Sequence, residues 1–248
     1  MLPGFGTVLF HAVWRATPWD LAIVASILAI DTLLALFLGA SAGLHEGGLV
    51  DGVVVFVGDS IGSVPSYIIV PVVFAGIGAI PGAVSLPTFV VVFGLLLWPT
   101  MGRAVRERAR FISHERYVEA ARAAGANSQQ ILTRHILPNS MGPVFAQIPI
   151  DVAPIFFFLS IYPWVSSCGR AVGGYYTTPV LGFASPLPSA SFPEWGYLLG
   201  FGACEGFGLP GIFDYWWMYM FPLLAMVVLG FAIALVCDGL ARRQRFER

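Results

Sequence analysis

Apolar residues gather into five long stretches separated by polar breaks, at about 19–43, 53–80, 83–101, 136–165 and 216–240. Each is near or above the roughly 20 residues a helix needs to cross about 30 Å of hydrocarbon. A bilayer offers the backbone no hydrogen-bonding partner, so the pattern predicts an all-α, polytopic transmembrane helical bundle of about five spans, a single domain over 1–248. Another apolar region, 190–213, is interrupted by Pro193, Glu194, Glu205, Pro210 and six glycines. That predicts a folded-back or interfacial element rather than a sixth span.

Composition removes the soluble alternative. The chain is 57% hydrophobic and 11% charged, against about 45–50% apolar and about 25% charged in ordinary soluble domains. Its mean hydropathy is +0.80. Net charge is −1, which gives no basic field for nucleic acid. The distribution of charge is more informative than the sum. There is no lysine; seven of the thirteen arginines lie between Arg103 and Arg134, and four more lie between Arg242 and Arg248.

Basic flanks stay on the cytoplasmic side, so the 102–135 loop and the C-terminus are expected inside and the 166–215 loop outside. Counting back places the His45–Glu46 turn inside and the N-terminus outside. No secretory signal is evident at Met1, and the expectation is that a first transmembrane helix is missing from this chain.

Between the third and fourth stretches runs RYVEAARAAGANSQQILTRHILPN, residues 116–139. Strong helix formers extend to Ala124, Gly125 can take the left-handed conformation that ends a helix, and Asn127 or Ser128 can cap a second short helix before Pro138. The expected unit is helix, glycine corner, helix. Alone, a string such as EAAR is an ordinary solvated helix.

In context, Glu119-Ala120-Ala121, then Gly125, then Ile136-Leu137-Pro138-Asn139, set on the arginine-rich side between two spans, resembles the EAA loop of binding-protein-dependent ABC importer permeases. The variant RHILPN is similar to the dipeptide, oligopeptide and nickel subgroup. Asp51, Asp59 and Pro65, Trp98-Pro99 with Arg103 and Arg106, Trp195-Gly196, and Asp238-Gly239-Leu240 extend the likeness from about residue 4 to 243.

This resemblance implies a type I importer permease whose coupling helix enters a groove of a separate ATPase. Arg116, Glu119, Ala120, Ala121, Arg122, Gly125, Ile136, Leu137 and Pro138 would carry the contact, with Arg134 beside them. It further implies ABC ATPase subunits, a second permease in a heterodimer, an external substrate-binding protein and a multi-pass location in the inner membrane. Peptides or nickel are the implied cargo. The chain lacks a GxxxxGK[ST] loop, so it is expected to bind no cofactor, with ATP and Mg on the partner subunit.

Other candidates carry open alternatives. Asp31, Asp59 and Asp151 fall within apolar stretches, where a carboxylate is expensive and faces water or protein. They line a translocation path, bond helix to helix or lie near the membrane interface. Cys168 and Cys204 are either a disulfide pair in an oxidising exterior or two buried small side chains. Pro65, Pro71, Pro149, Pro154, Pro163 and Pro222 predict kinks. The four histidines have no ligand-type spacing, so no metal site is expected. Two rival functions stand beside the importer: an ion-coupled secondary transporter using the three aspartates, and a non-transporting membrane scaffold.

Overall fold

A computed structural model describes residues 5–78, 86–171, 195–201 and 216–246, and among these every regular element is helical. The order is α1 (Phe5–Leu34), a π-turn (Ala35–Gly39), α2 (Ala40–Leu44), α3 (Leu49–Gly62), α4 (Ser66–Gly78), α5 (Leu86–Ser113), α6 (Arg116–Ala123), α7 (Ser128–Ile131), a second π-turn (Leu132–Ile136), α8 (Leu137–Asn139), α9 (Met141–Ala171), α10 (Trp195–Phe201) and α11 (Trp217–Phe246). Among the described residues four segments are long and apolar enough to cross a membrane: Phe10–Leu44, Pro87–Ser113, Met141–Ser160 and Tyr219–Arg243. A fifth results if the broken pair Leu49–Gly62 and Ser66–Phe74 counts as one span.

The helix boundaries depart from the apolar stretches in ways that have local causes. The first helix begins at Phe5 rather than near residue 19; between Phe5 and Trp19 only Gly6, in the first turn, and Pro18 strongly oppose helix. The 53–80 stretch is broken at 63–65. Pro65 disfavours the helical conformation at Val64, and the Ser63 hydroxyl turns back to the Ser60 carbonyl at 2.9 Å. Residues 102–113 are not loop; they continue α5 without interruption, as a run of Arg, Ala and Glu should. Helix α10 lies inside the interrupted 190–213 region.

Two compact units divide the chain: residues 1–26, 70–91 and 152–232 form unit 1, and 27–69, 92–151 and 233–248 form unit 2. In unit 1, α10 is fastened to its neighbours by specific contacts. The Trp195 backbone N–H donates to Asp20 Oδ2 at 3.0 Å, and its indole Nε1–H donates to the Val13 carbonyl at 3.0 Å. Gly196 sits against the Leu159 carbonyl with no room for a side chain.

Unit 2 is built on the polar half of α5. Ala35, Leu36 and Ala40 pack with Met101, Val105, Ala109 and Ile112, and this cluster continues through Val118, Ile131, Ile136 and Val144. Gly43 lets the α2 backbone meet α5 directly, because a side chain there would strike the Arg106 carbonyl and Ala109. Close packing through small residues is a common way for membrane helices to associate.

Candidate coupling site

The 116–139 segment folds as two short helices around one corner, all within unit 2. Glu115 enters in extended conformation and α6 runs from Arg116 to Ala123. At its end Gly125 takes φ +89°. The Gly125 N–H then reaches the Arg122 carbonyl at 2.9 Å, and the Ala126 N–H reaches the Ala121 carbonyl at 3.0 Å. That pair of bonds is the Schellman closure, which satisfies carbonyls a helix end would leave bare.

Asn127 starts the next turn. Its Oδ1 accepts from the Gln130 N–H at 2.8 Å, and the Gln130 side chain accepts from the Asn127 N–H at 3.0 Å. This reciprocal capping box supports a four-residue helix too short to persist alone.

Anchoring comes from apolar side chains spaced through a polar string. Val118 is 0% exposed, Ile131 2% and Ile136 0%. All three enter the cluster with Ala109 and Ile112 of α5. The Tyr117 and His135 rings meet at 5.9 Å between centroids, tying α6 to the second π-turn. The Asn139 side-chain amide donates to the His135 carbonyl at 2.7 Å, bracing the turn that contains Pro138.

What remains outward is a small, mixed surface. Arg116, Glu119, Ala120, Arg122 and Gly125 are exposed, Ala121 is half-buried, and Arg134 and Pro138 are exposed. Ile136 is buried and Leu137 half-buried, so of the residues expected at the docking surface these two face the bed instead. Short alanine side chains between charged ones leave the α6 backbone open to close approach by another surface.

The bed is itself clamped. Arg106 holds Asp51 through Nε–Oδ1 at 2.6 Å and Nη2–Oδ2 at 2.9 Å. Asp51 Oδ2 also accepts from the Gly47 N–H at 3.0 Å. Glu46 pairs with Arg110 at 2.7 Å, and Asp59 with Arg103 at 3.0 Å. These pairs bring the His45–Glu46 turn to the same charged end of α5 that carries the hairpin. Beside them, a cavity of about 310 Å³ is lined by Val54, Gly58, Trp98, Pro99 and the Arg103 and Arg106 side chains. The bidentate Arg106–Asp51 contact spans 55 residues, and no spacing rule in the sequence signals it.

The remaining candidates divide, Asp31 and Asp151 lying side by side and Asp59 apart from them. Asp59 is exposed and ion-paired on α3, whereas Asp31 and Asp151 are buried at 0% and 3% exposure on α1 and α9. Cys204 lies outside the described residues, as does the side chain of Cys168. Asp20, which sequence reasoning passed over, is fully buried.

Comparison with known proteins gives these elements a context. The family described as the binding-protein-dependent transport system inner membrane component matches residues 35–246. The dipeptide transport system permease protein DppC of Bacillus subtilis is 25% identical over 236 residues, covering 95% of this chain and 64% of the relative. The oligopeptide transport system permease protein OppC of the same organism is 25% identical over 235 residues, covering 95% and 67%. The glutathione transport system permease protein GsiD of Pectobacterium atrosepticum is 26% identical over 235 residues, covering 95% and 68%. A match that takes in α2 through α11, the hairpin included, shows that this chain belongs to the binding-protein-dependent inner-membrane permease family: it is a multi-pass permease subunit of an ABC importer, whose ATPase is a separate subunit.

Proposed function

We propose that this chain is a peptide permease that receives mechanical work through the α6–α7 hairpin. The carrying observation is the hairpin's division of labour: Val118, Ile131 and Ile136 fix it to α5, while Glu119, Ala120 and Arg122 stay outward. A rigid projection on a packed bed passes displacement inward, whereas a loose loop would absorb it. Arg116, Glu119, Ala120, Ala121, Arg122 and Gly125 form the contact with the ATPase, Ile136 and Leu137 act as its base, and Pro138 marks the exposed return toward the membrane. ATP and Mg belong to that partner; this chain binds no cofactor.

Peptide cargo is favoured over nickel because the relatives named above move dipeptides, oligopeptides and glutathione. A second, non-identical permease completes the pathway, and an external binding protein delivers the substrate. The chain sits in the inner membrane with its C-terminus in the cytoplasm, a reading supported by arginines on both the α5 extension and the α11 end. Asp31, Asp59 and Asp151 lie along the same protein's translocation machinery.

The test is co-expression of this chain with candidate ATPases, a second permease and the binding protein. Co-purification of an ATPase, with hydrolysis stimulated by peptide-loaded binding protein, is expected. Recovery of the permease alone from membranes that contain every partner would overturn the reading.

A further inference from the structure

We propose that Asp31 and Asp151 form a proton-binding site, two facing carboxyl groups that hold one proton between them inside unit 2. Asp31 projects from α1 and Asp151 from α9, and each carboxyl's electrostatic surroundings include the other. Exposure is 0% for Asp31 and 3% for Asp151. Apart from the facing acid, neither Asp31 oxygen has a hydrogen-bond donor, and Asp151 receives one bond, from Gln147 Nε2 at 3.0 Å. Among the described residues no arginine or histidine acts on either carboxyl from α1, α9 or the helices packed beside them.

That arrangement is incompatible with two negative charges. Like charges in contact repel strongly where water is excluded, and each buried carboxylate has lost its hydration besides. One shared proton removes the repulsion and turns a clash into a hydrogen bond. Asp51 shows how the same chain treats a carboxylate that stays ionised: it receives a bidentate arginine and a backbone N–H. No such provision exists at Asp31. The shared proton also joins α1 to α9, so parting those helices would expose an acid pair to whatever fills the gap.

The experiment treats the assembled transporter, in lipid nanodiscs at neutral pH, with dicyclohexylcarbodiimide. This reagent adds only to a protonated carboxyl: the acid's proton moves to a carbodiimide nitrogen and its oxygen bonds to the central carbon. Peptide mass mapping should find the adduct on Asp31 or Asp151 and not on Asp51 or Asp59. The infrared carbonyl absorption of protonated acids should lose intensity in the D31N/D151N variant, which keeps side-chain size, relative to the native protein. An unlabelled pair, together with a protonated-acid band that D31N/D151N leaves unchanged, overturns the proposal. So does labelling abolished by sodium or potassium but indifferent to pH, which would make the occupant a metal cation. None of these readouts involves the ATPase contact, so failure here and failure of the coupling assignment are separately visible.

Discussion

At position 125 the backbone requires φ +89°, a conformation that costs an ordinary L-residue about 1–2 kcal/mol and a β-branched one more. Nothing crowds the site; a side chain there meets open space. A Gly125→Val substitution therefore acts through the corner and not through a clash, reopening the Schellman bonds to Arg122 and Ala121. The expected result is normal membrane insertion with ATP hydrolysis uncoupled from uptake; wild-type uptake per ATP in that variant would refute the coupling role. Val118 tests the other side of the same unit. Trimming it to alanine removes contacts with Ile131 and α5 and should cost about 1–3 kcal/mol locally. Faster amide exchange across 116–131 with unchanged exchange in α9 is the expected signature. The glycine corner was legible in the sequence because one residue type dominates that conformation. Val118 was harder to see, being a single apolar residue in a string whose charged letters dominate the pattern.

At the level of elements, the clamp on α5 gives the hairpin a stiff base. Arg106 and Asp51 exchange two charge-assisted bonds in a mostly buried setting, with Asp51 8% and Arg106 21% exposed as side chains. Removing either partner leaves a half-buried charge and should cost roughly 2 kcal/mol. Asp51→Arg alone and Arg106→Asp alone should each lower the ratio of uptake to hydrolysis. The exchanged pair, carrying both changes, should recover a large part of it. If the exchanged pair behaves no better than the worse single variant, the contact is not what transmits motion. Smaller effects belong to Asn127: its replacement by alanine deletes half of the capping box for about 1 kcal/mol, read as faster amide exchange in 126–131 alone. Length and hydropathy foretold the long helices well. They could not separate α3 from α4, since both are apolar and the break rests on Pro65 and Ser63. They also stopped the third span where the arginines begin, although helix propensity carries α5 on to Ser113. Periodicity reports which face is apolar; it does not report where a helix leaves the membrane.

For the whole molecule, one distribution of charge has to serve both topology and coupling. The arginines of the α5 extension, the hairpin and the C-terminal stretch from Arg242 to Arg248 account for eleven of the thirteen in the chain. The proposed topology retains them on one side of the bilayer, which would place the handle where ATP is available. That consequence is testable without a substrate. In a background with Cys168, Cys204 and Cys237 replaced by serine, a single cysteine at Gln129, which is exposed beyond the corner, should react with a membrane-impermeant maleimide in inside-out vesicles and remain unreacted in intact cells. A cysteine at Arg243 should behave identically, since the proposed topology puts the end of α11 on the same side. At Ala123, also exposed, labelling in the vesicles should slow markedly when the ATPase subunits are co-expressed, because the alanine-rich face is then covered. Labelling of the Gln129 position from outside intact cells would leave the hairpin facing the wrong compartment, and no ATPase could reach it.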